Sequence, residues 1–145
     1  MNSVAEFMSR DHDRLDAIFK DFQNKKTSDL EKAKQLFLEF KLGLEQHILW
    51  EEEILFPTFE QRTGMREAGP TAVMRMEHGQ IKNFLQSIQK EIAKSHRDEA
   101  SLIQVLSSHN SKEESILYPW FDNTLSESER AATLSKIENS LAAER

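Results

Sequence analysis

Along four long stretches of this chain, apolar residues recur at alternating steps of three and four, the spacing of one helix face. The first stripe reads Val4, Met8, Leu15, Phe19 and Phe22. Ser3 with Glu6 forms a capping box at its start, predicting a helix to about Asn24. The second stripe reads Leu30, Ala33, Phe37, Phe40, Leu44, Ile54 and Thr58, from a Ser28/Glu31 capping box to about Gln61. Pro57 frees a backbone carbonyl one turn back, so a kink is expected there. Thr63 and Gly64 close that helix, and Gly69–Pro70 opens a third whose stripe is Met74, Ile81, Leu85, Ile88 and Ile92. A polar loop (SHRDEA), with Asp98 as the expected cap, leads to the fourth stripe: Leu102, Leu106, Ile116 and Trp120. Ser126 with Glu129 caps a short fifth helix over about 127–143, whose Leu134, Ile137 and Leu141 suit a lid across the bundle. No stretch alternates with period two, so no strand is predicted. The expected class is all-α. Residues 1–145 form one domain, an up-down-up-down four-helix bundle over about 3–122 followed by the C-terminal helix.

The stripes are interrupted by polar residues in a pattern. His12 sits between Met8 and Leu15, and His78 between Met74 and Ile81. His47 and Glu51 continue the second seam after Leu44, and His109 and Glu113 continue the fourth after Leu106. The two pairs are related by an internal repeat, because HILWEEEILFP (47–57) returns sixty-two positions later as HNSKEESILYP (109–119). A His and a Glu four apart share one helix face, so each pair aims a nitrogen and an oxygen donor in the same direction.

Composition narrows the choice of partners. With 30% charged and 38% hydrophobic residues, the chain reads as an ordinary globular protein, and four Gly and three Pro favour long helices. A net charge of −6 argues against nucleic acid or an anionic membrane as partner. The absence of cysteine excludes disulfides, thiolate zinc sites and iron–sulfur clusters. The N-terminus reads as neither signal peptide nor anchor, so a cytoplasmic location is the expectation.

Two glutamates on core-facing seams, with no seam Lys or Arg beside them, need another source of positive charge, since burying a lone carboxylate costs several kcal/mol. A pair of metal ions supplies it and would be bound by neutral imidazoles. Nitrogen and oxygen donors without thiolate suit iron, manganese or zinc. The donors His12, His47, Glu51, His78, His109 and Glu113, with the carboxylates bridging, would leave coordination positions for a small exogenous ligand. Counting residues outward from the loops places Glu51, His78, His109 and Glu113 at similar heights. The first loop, centred near residue 26, leaves His12 and His47 about 10 Å out of register. His96 is read as solvated rather than as a ligand. Tyr118 and Trp50 fall off the seam and receive no redox role, and Glu52, Glu53 and Glu114 are read as solvated.

The residues RDHDRLDAIF around His12, EEEILFP after His47, EHGQI around His78 and EESILYP after His109 resemble the hemerythrin-like (HHE cation-binding) family over residues 1 to about 125. The resemblance implies a four-helix bundle with a non-haem di-iron centre. His12, His47, His78 and His109 would then be terminal ligands, Glu51 and Glu113 bridges, and dioxygen or nitric oxide the ligand at an open iron. Oxygen-carrying members have a further His where this chain has Met74, and end with His and Asp five apart rather than His109 and Glu113 four apart. The donor set is similar to that of iron-centre repair proteins and iron-sensing domains of the family.

The resulting expectation is a di-iron protein that binds dioxygen or nitric oxide for sensing, storage or detoxification. The alternative is a di-iron enzyme or iron donor that turns over peroxide or nitric oxide or repairs iron centres. A bundle in which metal only stabilises folding is the third reading.

Overall fold

The computed structural model describes residues 3–144, with side chains described up to Ser140. Four rods run alternately up and down: α1 (Val4–Lys25), α2 (Leu30–Trp50), α4 (Pro70–Lys90) and α5 (His96–Lys112). α2 continues through a π-helical turn (Glu51–Leu55) into α3 (Phe56–Thr63), and α5 through another (Glu113–Leu117) into α6 (Tyr118–Thr124). A short 3-10 turn (Ile92–Lys94) precedes α5, and α7 (Glu127–Glu144) follows α6. Among the described residues there is no strand, and no helix is long and apolar enough to cross a membrane. This is the all-α bundle that the stripes predict.

Local chemistry sets the helix ends. Ser3 accepts from the Glu6 amide at 3.0 Å, and the Asp122 carboxylate accepts from the Val4 and Ala5 amides at 3.1 and 2.9 Å. α6 therefore caps the free amides of α1. Ser126 and Glu129 form the reciprocal box expected at α7. Gly64, at φ +75°, ends α3 in the left-handed conformation that glycine adopts without strain. Two expected caps are corrected. Asp29 rather than Ser28 caps α2, accepting from the Lys32 amide at 3.1 Å. α5 begins after Ser95, which puts Asp98 in its first turn, where its charge still complements the helix dipole.

The main departure from the sequence pattern comes at the two prolines. The Phe56 amide donates to Glu51 O and the Tyr118 amide to Glu113 O, five residues back rather than four. This wide turn takes up the kink that Pro57 predicts, and its counterpart precedes Pro119. One extra residue per turn shifts the seam by one position. Leu55 and Phe59 are buried where Ile54 and Thr58 were expected, and Leu117 and Phe121 replace Ile116 and Trp120, which are 55% and 38% exposed. The same shift carries Phe56 and Tyr118 inward, so Tyr118 is not off the seam as the sequence suggested. Trp50 is likewise buried, against the rings of His47 and Phe7.

The core has two apolar clusters. One packs Leu15, Phe19, Phe22, Phe37, Phe40 and Leu85. The other packs Met8, Phe56, Phe59, Met74, Leu117 and Phe121, together with Leu134 and Ile137 of α7. α7 thus lies across the bundle as expected; the side chain of Leu141 falls outside those described.

Candidate metal centre

The chain meets its polar seam residues between the two clusters. His12, His47, Glu51, His78, His109 and Glu113 are each no more than 3% exposed. They form two groups that share Glu113. Glu51, His78, His109 and Glu113 make one and His12, His47 and Glu113 the other, with the donor atoms of each within 4.8 Å of one another. Each glutamate reaches an imidazole in both groups. Glu113 Oε1 lies 3.1 Å from His12 Nε2 and 3.3 Å from His109 Nε2, and Glu51 Oε1 lies 3.1 Å from His78 Nε2 and 3.8 Å from His47 Nε2. That is the disposition of carboxylates able to bridge two ions. All six residues singled out from the sequence are brought together; His96, on the exposed first residue of α5, is not among them.

The height mismatch of His12 also disappears. Lys26 keeps helical angles (φ −57°, ψ −35°), and the Ser28 and Asp29 amides both return to Lys25 O. These bonds close the connection tightly over residues 25–29, and the packing of α1 against α2 brings the two imidazoles together despite the residue count. The His12 and His47 rings lie 4.6 Å apart and those of His78 and His109 5.0 Å apart.

Four further carboxylates hold the outer nitrogens of the imidazoles. His12 Nδ1 lies 2.7 Å from Glu114, His47 Nδ1 2.8 Å from Asp11, His78 Nδ1 2.8 Å from Glu52 and His109 Nδ1 2.9 Å from Glu77. Such partners fix the ring orientation and leave Nε2 facing the centre. The reading of Glu52 and Glu114 as merely solvated is thereby corrected. A signal for all four was present: Asp11 and Glu77 each directly precede a seam His, and Glu52 and Glu114 each directly follow a seam Glu. The halves are related by a pseudo-twofold, in which the residue before one histidine supports the other histidine of the same half.

Tyr118 is the residue that sequence reasoning missed altogether. Its hydroxyl lies 2.9 Å from Glu51 Oε2, 3.0 Å from Glu113 Oε1, 3.1 Å from His47 Nε2 and 3.3 Å from His12 Nε2. Only the one-residue slip of the π-turn reveals it.

The electrostatics show how the protein carries this layer without a cation. Burial acts to lower the His12 pKa, but hydrogen bonds and charge from Glu113, Glu114 and Glu51 outweigh it and raise it to about 9. His78 is raised to about 9 against the same burial by Glu51, Glu52 and Glu113. Burial and the neighbouring Glu113 push Glu51 up, while burial of Glu113 is overcome by its hydrogen bonds from Glu51, His109 and His12, which hold it down. The Glu51 carboxyl therefore holds its proton to higher pH than the Glu113 carboxyl beside it. Burial, then the charges of Glu113 and Glu51, raise Tyr118 well above the ordinary phenol value.

One atom is left over. Glu113 Oε2 is fully buried and has no hydrogen-bond partner among the described residues. A free carboxylate oxygen in a dry interior is costly, and a bound cation would satisfy it. Adjacent donors around a six-coordinate ion with bonds of about 2.1 Å stand about 3 Å apart, which matches the spacings above. The residues fit a metal pair.

Fold and donor layer define the class: a helical bundle equipped to hold cations in its interior. The family comparison agrees. The model of the hemerythrin HHE cation-binding domain matches residues 3–121, and the chain belongs to that family. Neither the search of curated proteins nor that of solved structures returned a match.

Proposed function

We propose that this chain holds a non-haem di-iron centre and binds a small ligand, dioxygen or nitric oxide, for sensing, storage or detoxification. His78 and His109 would hold one ion, His12 and His47 the other, and Glu51 and Glu113 would bridge them. The observation that carries the reading is the pair of donor groups sharing Glu113, one oxygen of which is buried without a partner. Iron ahead of manganese or zinc rests on the family and on the mixed imidazole–carboxylate donors. Bound iron would supply Lewis acidity and electrons to the ligand. The chain's part is to hold the donors in register, and its two apolar clusters keep bulk water away. Metal analysis of protein purified without added metal should find two iron ions per chain, and Glu113→Ala should lower that number. Zero or one ion in the wild type would overturn the reading. A visible absorption change on mixing the reduced protein with oxygen, reversed on deoxygenation, would identify binding.

A second reading, a di-iron enzyme or iron donor, is favoured by Met74. It is buried in the apolar cluster one turn before His78 and offers no nitrogen, so the His78–His109 position has four protein donors and room for turnover. Sustained consumption of peroxide or nitric oxide, abolished in Glu51→Ala, would support this reading. One equivalent bound and no more would count against it.

A further inference from the structure

We propose that Tyr118 is itself a metal ligand, its phenolate oxygen completing the ion held by His12 and His47, so that the His78–His109 ion is the one left open. The inference rests on the di-metal reading above.

The first ground is the hydrogen-bond arithmetic around the hydroxyl. Four atoms of the candidate ligands stand 2.9–3.3 Å from it: two carboxylate oxygens and two imidazole nitrogens. A phenol has one proton to donate. The outer nitrogens of His12 and His47 already face Glu114 and Asp11. With both rings neutral and donating outward, as metal binding requires, both Nε2 atoms present lone pairs toward the phenol. In that state four acceptors would converge on a single O–H, which could serve one of them. A cation among them serves all.

The second ground is shape. The same spacings are the edges of a six-coordinate shell with bonds of about 2.1 Å, and the 3.1 Å from His12 Nε2 to Glu113 Oε1 is another such edge. With an ion bound there, the phenol oxygen would fit a vertex of that shell. His12, His47, Glu51, Glu113 and Tyr118 would give one ion five protein donors.

The third ground is the pseudo-twofold. Phe56 occupies the position of Tyr118 in the other half, its ring stacked on His78 at 5.7 Å as that of Tyr118 is on His12. Phe56 has no oxygen, so the two halves differ in one donor. That difference leaves the vacant positions on the His78–His109 ion. As the oxygen–metal bond forms the phenol O–H bond breaks, and its proton leaves to solvent.

The chain contains a single tyrosine, so any phenolate signal belongs to Tyr118. Protein loaded with ferric iron should show a phenolate-to-iron charge-transfer band in the visible. Resonance Raman excitation in that band should enhance the phenolate ring and C–O stretches. Tyr118→Phe, which copies the ring found at residue 56, should lose both signatures. Wild-type protein with two irons and no phenolate vibrations would overturn this inference and leave the di-iron reading intact, as would signatures that persist in Tyr118→Phe. A wild type that takes up no iron would overturn both. Should Tyr118→Phe fail to fold, the wild-type Raman spectrum decides alone.

Discussion

Each imidazole at the centre of this bundle is held by a carboxylate that sits beside, rather than on, the apolar seam. Partners of this kind typically matter 10–100-fold for metal affinity. Glu52→Gln and Asp11→Asn are therefore expected to weaken iron binding by about that factor in competition with a chelator. Glu53→Gln, one position on and exposed, should leave it unchanged. Glu51 is a different case, because burial and Glu113 raise its carboxyl to about 7, so that below that pH it is mainly neutral when no cation is present. A neutral amide mimics that form, so Glu51→Gln should change the melting of metal-free protein little, within about 1 kcal/mol, yet lose iron. A large loss of metal-free stability in this variant below pH 7 would contradict that upward shift of Glu51.

At the scale of the element, the two π-turns decide which residues count as core. An unbroken α-helix would bury Ile116 and Trp120, whereas the widened turn after Glu113 buries Leu117 and Phe121. Leu117→Ala should accordingly cost about 2–5 kcal/mol in denaturant unfolding, and Ile116→Ala less than about 1 kcal/mol. The reverse order would mean that the seam had not slipped. The same turns begin at each bridging candidate, so they set the angle at which Phe56 and Tyr118 enter the site. Such turns are frequent at functional sites because they re-aim a side chain without ending the helix.

For the whole molecule, the donor layer couples stability to pH and to metal in opposite senses. In metal-free protein the folded-state values of His12 and His78 are raised from 6.5 to about 9. Their contribution is therefore complete below about pH 6.5 and is lost as the pH rises through about 9. The loss is on the order of 3 kcal/mol per imidazole, and Glu51, also raised, adds a loss of the same sign at lower pH. Glu113 is held down, so its contribution is lost in acid instead. Chelator-treated protein should melt on the order of 10 °C lower at pH 9 than at pH 6.5. Iron affinity should rise over the same interval, since protons no longer compete for the imidazoles. Melting curves with and without chelator check both; a metal-free Tm that rises toward pH 9 would refute the protonated-imidazole balance.

The stripes of α1, α2, α4 and α5 and the six donors that interrupt them were legible in the sequence, because helical periodicity is local and a charged residue on an apolar face stands out against it. The repeat from His47 to Pro57 and from His109 to Pro119 made the two halves visible as well. What lay beyond the sequence followed from departures from that periodicity and from contacts across helices. The π-turns moved the seam by one residue, so Tyr118 went from an apparent outer face to the centre of the site. The pairing of Asp11, Glu52, Glu77 and Glu114 with particular imidazoles required knowing which rods are neighbours and at what height. Spacing along one helix determines which face a side chain shares; only the packing of rods against one another determines what that face meets.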